Sequence, residues 1–238
     1  ADTVIDTSGN GDVAALAGCA FDLGRPGDGA CLPLTLMALV TADDVPALRP
    51  WVSFWNGSLH WPDRRDAVQR LGASLAEGGI TPTYGHPTLF QVQDRVLALM
   101  IDHQYGVSAI DGGQMSQATL RARRDLHRAV DALRAQGGPF TGLRIVASAE
   151  QIGIREGRRI HGRYRLTVDD LIAGLRAPDA VCRASFNIDL HSVRESEGRG
   201  LTGQKVAPYD IPLRCLVARD VDGLLMAGRA AIIQPPTN

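Results

Sequence analysis

The chain has 238 residues, 45% of them hydrophobic, and its 25 Lys and Arg nearly balance 26 Asp and Glu for a net charge of −1. That length supports one large domain or two small ones, and the charge balance argues against a nucleic-acid or anionic-membrane partner and for a small molecule. No apolar run reaches spanning length and no basic segment followed by an apolar core opens the chain, so neither a membrane span nor a signal peptide is expected, and the localisation read is cytoplasmic.

The opening stretch VIDTSGNGDVAALAG, residues 4–18, reads as a strand over Thr3 to Asp6, a tight glycine turn and the start of a helix. Gly9, Gly11 and Ala14 fit the G-x-G-x-x-G/A spacing that brings backbone against a pyrophosphate at a helix N-terminus. A primary dinucleotide fingerprint also needs a long first helix and an acid at the end of a second parallel strand, about 20 residues on. Here the helix has only a short run before Gly18, and Asp22 and Asp28 fall in the turn-rich FDLGRPGDGA. If the turn touches a nucleotide, it does so as a secondary contact.

Strands are expected over 33–40, 89–92, 96–101, 143–149, 158–166, 180–186 and 213–217. Between them, residues 63–77 read as a helix capped by Asp63, with Val68, Leu71 and Leu75 on one face and Gly78-Gly79 as its stop. A second helix begins at Ser116, with Met115 and Leu120 as a staple, Leu126, Ala129, Val130 and Leu133 as its apolar stripe and Gly137-Gly138-Pro139 at its end. Its arginines carry no interleaved aromatics and read as a solvated face. A short third helix starts at Thr167, with Asp169 and Asp170 in its first turn and Val168, Leu171, Ile172 and Leu175 turned inward. Strand-rich blocks, rather than regular β-α alternation, make the fold class α+β, a mixed α/β chain. The segment SVRESEGRGLTGQ, 192–204, is a loop.

Cys19, Cys31, Cys182 and Cys215 are scattered, without C-x-x-C or histidines at ligand spacing, so reduced thiols and no metal are expected. The chain opens at Ala1 already entering a strand and closes on QPPTN directly after the apolar LLMAGRAAII, which reads as a fragment of a larger fold.

VIDTSGNGDVAALAGCAFDLGR resembles the second flavin motif of FAD-dependent oxidoreductases related to the succinate dehydrogenase and fumarate reductase flavoproteins. QIGIREGRRIHGRYRLTVDDLIAG (151–174), SFNIDLH (185–191), YDIPLRCLV (209–217) and VDGLLMAGR (221–229) follow in the order in which similar blocks occur in that family. Ser8 and Asn10 stand where a glycine and an acid are more usual, and the primary G-x-G-x-x-G unit is absent from these residues. The resemblance implies FAD as cofactor and part of a flavin-binding fold of the glutathione-reductase type with an inserted substrate or cap domain. Residues 1–30 and 205–238 would be the remnant of the FAD-binding domain and 31–204 the cap. It also implies that Thr3 to Asp6 and Leu224 to Met226 lie side by side, bringing the first and last flavin blocks together.

The implied activity is hydride transfer between a small organic substrate, anionic in character, and the flavin. Thr7, Gly9, Gly11, Asp12, Gly228 and Arg229 are the candidate cofactor contacts. Gly9 and Gly11 also read as a plain turn with Asp12 as a helix-dipole charge, and Gly228-Arg229 as a left-handed turn with a surface arginine. Arg155 or Arg159 is the candidate clamp for a substrate carboxylate, because a guanidinium binds one bidentately, and His191, behind Asp189, the candidate proton carrier. Surface ion pairs and a locally bonded histidine are the plainer readings of the same residues. The alternative for the whole chain is a flavin-free binding or interaction module, or a non-functional fragment.

Overall fold

The computed structural model describes residues 1–55, 61–195 and 202–230, and the closing QPPTN and part of the 192–204 loop lie outside them. In chain order the elements are β1 (Val4–Asp6), α1 (Asp12–Leu16), β2 (Phe21–Asp22), β3 (Ala38–Thr41), β4 (Val52–Phe54), α2 (Trp61–Glu77), β5 (Thr88–Gln93), β6 (Val96–Met100) and α3 (Gly112–Ala135). There follow β7 (Arg144–Ser148), β8 (Arg159–Ile160), α4 (Val168–Ala173), β9 (Ala180–Ala184), β10 (Ile188–Asp189), β11 (Thr202–Gln204), β12 (Tyr209–Pro212) and β13 (Leu224–Met226). The architecture is α+β. Two compact units divide it, one of Ala1–Pro33, Tyr105–Gly112 and Ile154–Asn238, the other of Leu34–Gln104 and Gly113–Gly153. Residues from 154 on, which sequence order places in the middle region, pack with the opening segment because β8 pairs antiparallel with β2.

In the second unit a five-stranded sheet runs β4-β5-β6-β3-β7, antiparallel except for the β4–β5 pair. The apolar stripe of α3 is buried as its period requires: Ala118, Ala122, Leu126, Ala129, Val130 and Leu133 are all covered. The helix starts at Gly112, so Ser116 lies inside it and is no cap, and Leu120, 60% exposed, forms no staple. Likewise α2 begins at Trp61 and Asp63 is its third residue rather than its cap. The C-terminal ends of α2 and α3 meet, where Gln136 Nε2 donates to the Ser74 carbonyl at 2.7 Å.

In the first unit β1 and β13 form a parallel pair with Val4 opposite Leu224 and Asp6 opposite Met226, as the resemblance implies. Ala14, Cys19, Ile160, Ala218, Leu224, Met226 and Ala230 pack around them. A second cluster of Leu166, Leu171, Ile188, Tyr209 and Cys215 is built on α4 and the antiparallel β9–β12 pair. Thr167 caps α4 in a reciprocal box with Asp170, and Leu171 is buried, but Ile172 points outward. The 213–217 strand is instead a 3-10 turn over Leu213–Cys215, held by Asp179, whose carbonyl accepts from the Leu213 N–H and whose carboxylate accepts from the Arg214 N–H. The pairing strand lies just before it, at β12. The expected 158–166 strand shrinks to β8 because its continuation splits its hydrogen bonds among Ala20, Val217 and Arg214.

What makes so short a helix as α1 form is Asp6. Its carboxylate, 1% exposed, accepts from the Ser8 N–H and hydroxyl at 2.9 and 2.7 Å and from the Ala14 N–H at 2.9 Å. Ser8 Oγ in turn accepts from the Asp12 N–H at 2.8 Å. The otherwise orphaned N–H groups of the first turn are thereby satisfied from the end of β1. Burial pushes the Asp6 carboxyl upward, but the bonds from Ser8, Ala14 and Val13 outweigh it and hold the group below its ordinary value.

Asp6→Asn should therefore lower the unfolding free energy by about 1.5–3 kcal/mol at neutral pH. Because the native pKa is depressed, this contribution is present above the ordinary carboxylate pKa and is lost as pH falls through the native one. Paired denaturant titrations of wild type and variant should show the gap narrowing only below about pH 4, and a gap constant to lower pH would count against this account of α1. On α3, Leu126→Ala should cost about 2–5 kcal/mol in chemical denaturation, whereas Leu120→Ala, on the same helix but exposed, should stay within about 0.5 kcal/mol.

Candidate functional site

Because β1 and β13 run parallel, the segments that leave them emerge at the same end. The Ala227 N–H donates to the Asp6 carbonyl at 2.9 Å, and the turns 7–11 and 228–230 therefore lie together. This brings Thr7, Gly9, Gly11, Asp12, Gly228 and Arg229 to the carboxyl end of a parallel strand pair, the place where open α/β sheets bind ligands.

Gly9 and Gly11 have φ of 78° and 66°, a left-handed backbone that favours glycine. Space is short as well: a Cβ on Gly9 would stand 2.7 Å from the Arg229 guanidinium, and one on Gly11 2.9 Å from the Ile160 side chain. Arg229 lies across the turn and donates to Asn10 Oδ1 at 3.1 Å, while Asn10 Nδ2 donates to the Ala109 carbonyl at 3.1 Å. Asp12 pairs with Arg158 at 2.6 Å, and the same guanidinium donates to the Asn10 carbonyl at 3.1 Å. Gly157 abuts the turn so closely that a Cβ there would come within 2.7 Å of Asn10.

The turn is not a phosphate cradle. The Asp12, Val13 and Ala14 N–H groups, which would grip an anion in such a site, are taken by Ser8 and Asp6. A carboxylate kept ionised there would also repel a phosphate. What the turn offers a ligand is its outer side, with exposed Thr7 and the Arg229 guanidinium.

The arginine-rich 155–165 segment sorts into distinct environments. Arg159 is 12% exposed on its side chain, is ion-paired to Glu156 at 10%, and donates to the Gly24 carbonyl at 2.6 Å. Glu156 also accepts from the Leu32 N–H at 2.8 Å, so this pair ties three chain segments together. Arg163 pairs with Asp222 at 2.7 Å, and Arg165 pairs with Asp22, which also meets His161 at 3.2 Å.

Arg155 is placed differently, in the electrostatic neighbourhood of His191. Burial pushes the His191 imidazole below its ordinary value, the Arg155 charge pushes it further, and Asp189 pulls the other way. His191 is therefore neutral near pH 7 and able to take up a proton. Tyr105 belongs to the same neighbourhood: burial and Glu195 raise its phenol, and Arg155 opposes them. Sequence reasoning passed over Tyr105 because no local motif surrounds it. It also passed over Asp6 and Asn10 as structural partners, although an acid closing an apolar strand directly before a glycine turn was a usable signal.

Among the described residues no group of three or more His, Cys, Asp or Glu side chains could hold a metal ion, and no helix is long and apolar enough to cross a membrane. Cys19, Cys31 and Cys215 are buried free thiols and Cys182 an exposed one.

Searches among curated proteins and solved structures give no match. A family model described as FAD dependent oxidoreductase matches residues 1–233. With nearly the whole length matched, and with the first and last of the resembling blocks side by side on parallel strands, the chain belongs to the FAD dependent oxidoreductase family, whose cofactor is FAD.

Proposed function

We propose that this protein takes part in hydride transfer between a small anionic organic substrate and FAD, in the manner of flavoproteins related to succinate dehydrogenase and fumarate reductase. The observation that carries the reading is the parallel pairing of β1 with β13, which joins the opening and closing flavin-like blocks at one strand end. FAD supplies a two-electron acceptor when bound, and the protein supplies binding, orientation and proton handling.

The residues fit FAD as a lateral contact. Thr7, Gly9, Gly11, Gly228 and Arg229 present a glycine-lined turn and one guanidinium to it, while Asp12, paired with Arg158, keeps the turn in shape. Since Asp6 and Ser8 occupy the first turn of α1, the pyrophosphate is gripped by a part of the protein other than this helix. In this reading residues 1–30 and 205–238 are the flavin-facing part and the substrate side is drawn from 31–204. A cytoplasmic setting belongs with it, in keeping with thiols that are not joined in disulfides.

Arg155 holds the substrate carboxylate and His191, neutral at working pH, accepts the proton released as substrate is oxidised. Arg159 is the structural member of the pair, because its charge is already spent on Glu156. Tyr105 stands beside them as a hydrogen-bonding group of raised pKa.

In FAD-loaded protein assayed with small carboxylic acids and an artificial electron acceptor, Arg155→Ala and His191→Gln should each lower turnover about 100-fold or more with the flavin spectrum intact. Activity within a few-fold of wild type for both would refute the assignment. The pH profile gives a second check with a definite sign. The acid limb of kcat/KM should have its midpoint below about 6.5, the ordinary histidine value, and Arg155→Lys should preserve it, whereas residual activity of Arg155→Ala should show it moved upward, since a positive neighbour has been removed.

A further inference from the structure

Asn10 stands between the two glycines of the opening turn, half-buried, and its side chain is bonded at both ends. Oδ1 accepts from Arg229 Nη2 at 3.1 Å, and Nδ2 donates to the Ala109 carbonyl at 3.1 Å. Exchanging the two would set a donor against the guanidinium and an acceptor against the carbonyl, so the amide has one orientation only. The backbone is held as well, because the Asn10 carbonyl accepts from Arg158 at 3.1 Å. Gly157 closes the remaining side, where a Cβ would come within 2.7 Å of Asn10 Oδ1 and 2.8 Å of its Cα.

The carboxylates around this turn are engaged elsewhere. Asp6 accepts from Ser8 and Ala14, Asp12 pairs with Arg158 at 2.6 Å, and Asp222 pairs with Arg163 at 2.7 Å. Arg229 meets an amide oxygen and, among the described residues, no carboxylate. An arginine without an ion pair is ordinary where it swings free in solvent. This one is held: its Nη2, Cζ and Nη1 stand 2.7, 3.1 and 3.3 Å from where a Cβ on Gly9 would be, so the guanidinium rests on the glycine while the amide fixes its Nη2 end.

A neutral acceptor orients a guanidinium without cancelling its charge. A carboxylate in the same place would orient it equally well and leave the pair with no net charge to offer a third group. The difference matters for FAD, whose two phosphates make it an anion.

We infer that Asn10 is a positioning residue for the cofactor: it fixes the Arg229 guanidinium on the outer side of the glycine turn with its positive charge intact for the anionic FAD. The inference rests on the reading that FAD touches this turn through Arg229. It goes further in naming the residue through which that contact keeps both its direction and its charge.

The test is titration of the full chain with FAD, followed by flavin fluorescence, for wild type, Asn10→Asp, Asn10→Ala, Arg229→Gln and the Asn10→Ala/Arg229→Gln double variant. Asn10→Asp keeps an acceptor for Arg229 and should still weaken FAD about tenfold, with the gap to wild type narrowing as ionic strength rises. Asn10→Ala should weaken FAD about fivefold when Arg229 is present and add no further loss when it is Gln, the coupling expected of a residue that acts through Arg229. A role confined to the shape of the turn would instead give the same loss in both backgrounds. Arg229→Gln, an exposed change, should weaken FAD about tenfold, and it keeps the test decisive if position 10 tolerates no substitution. The inference is overturned if Asn10→Asp or Arg229→Gln binds FAD as wild type does, if the Asp gap is indifferent to salt, or if the Ala loss is equal in the two backgrounds. Saturable FAD binding by wild type with unmoved variants sinks this inference alone, whereas failure of wild type to bind FAD sinks the flavin reading along with it.

Discussion

The carboxylate of Asp6 decides how the first unit is built. It sits at the end of β1, accepts from the Ser8 and Ala14 N–H groups, and so fastens the turn and α1 to the strand that precedes them. A helix of this length has no stability of its own, because nucleation costs more than one turn returns. With its first N–H groups satisfied from outside, α1 can bury Ala14 beside Ile160, Leu224 and Met226. The same carbonyl end of β1 receives Ala227, which brings the closing turn against the opening one. One buried acid thus sets the course of the chain on both sides of the glycine turn.

That arrangement also settles which chemistry the turn can perform. In a phosphate loop the helix N-terminus is left open and its dipole attracts an anion. Here an internal anion has taken that position. Gly9 and Gly11 are required by left-handed backbone and by the closeness of Arg229 and Ile160, both of which are contacts within the protein. A glycine spacing that looks like a nucleotide fingerprint is therefore equally the signature of a tightly packed turn, and the proposed cofactor contact is left to its Arg229 side.

The arginines of residues 155–165 show how one dense run of charge divides its labour. Arg159 is buried with Glu156 and ties Leu32 and Gly24 to the same point, Arg163 and Arg165 make pairs near the surface, and Arg155 alone stands by a half-buried histidine. Exposed pairs of that kind contribute at most about 1 kcal/mol, while a positive charge beside an imidazole changes its protonation state. Position in the fold, and not residue type, separates these roles.

Local pattern was enough for the α+β class, for the buried stripe of α3, for the Thr167 cap of α4, for the β5 and β6 strands and for the meeting of the two flavin-like blocks. Each rests on a short-range rule or on a motif: a 3.6-residue period, a capping side chain, alternating apolar residues, or a resemblance in ordered blocks. Tertiary structure alone decided that α3 begins at Gly112 and α2 at Trp61, since a capping residue type says where a helix can start and packing says where it does. It likewise turned 213–217 from a strand into a 3-10 turn, because Asp179 supplies its acceptors from a distant part of the chain. The company of Tyr105 with Arg155 and Glu195 was beyond sequence reading for the same reason. It depends on which side chains, far apart in the chain, the fold brings within Coulombic reach, and spacing along one segment carries no record of that.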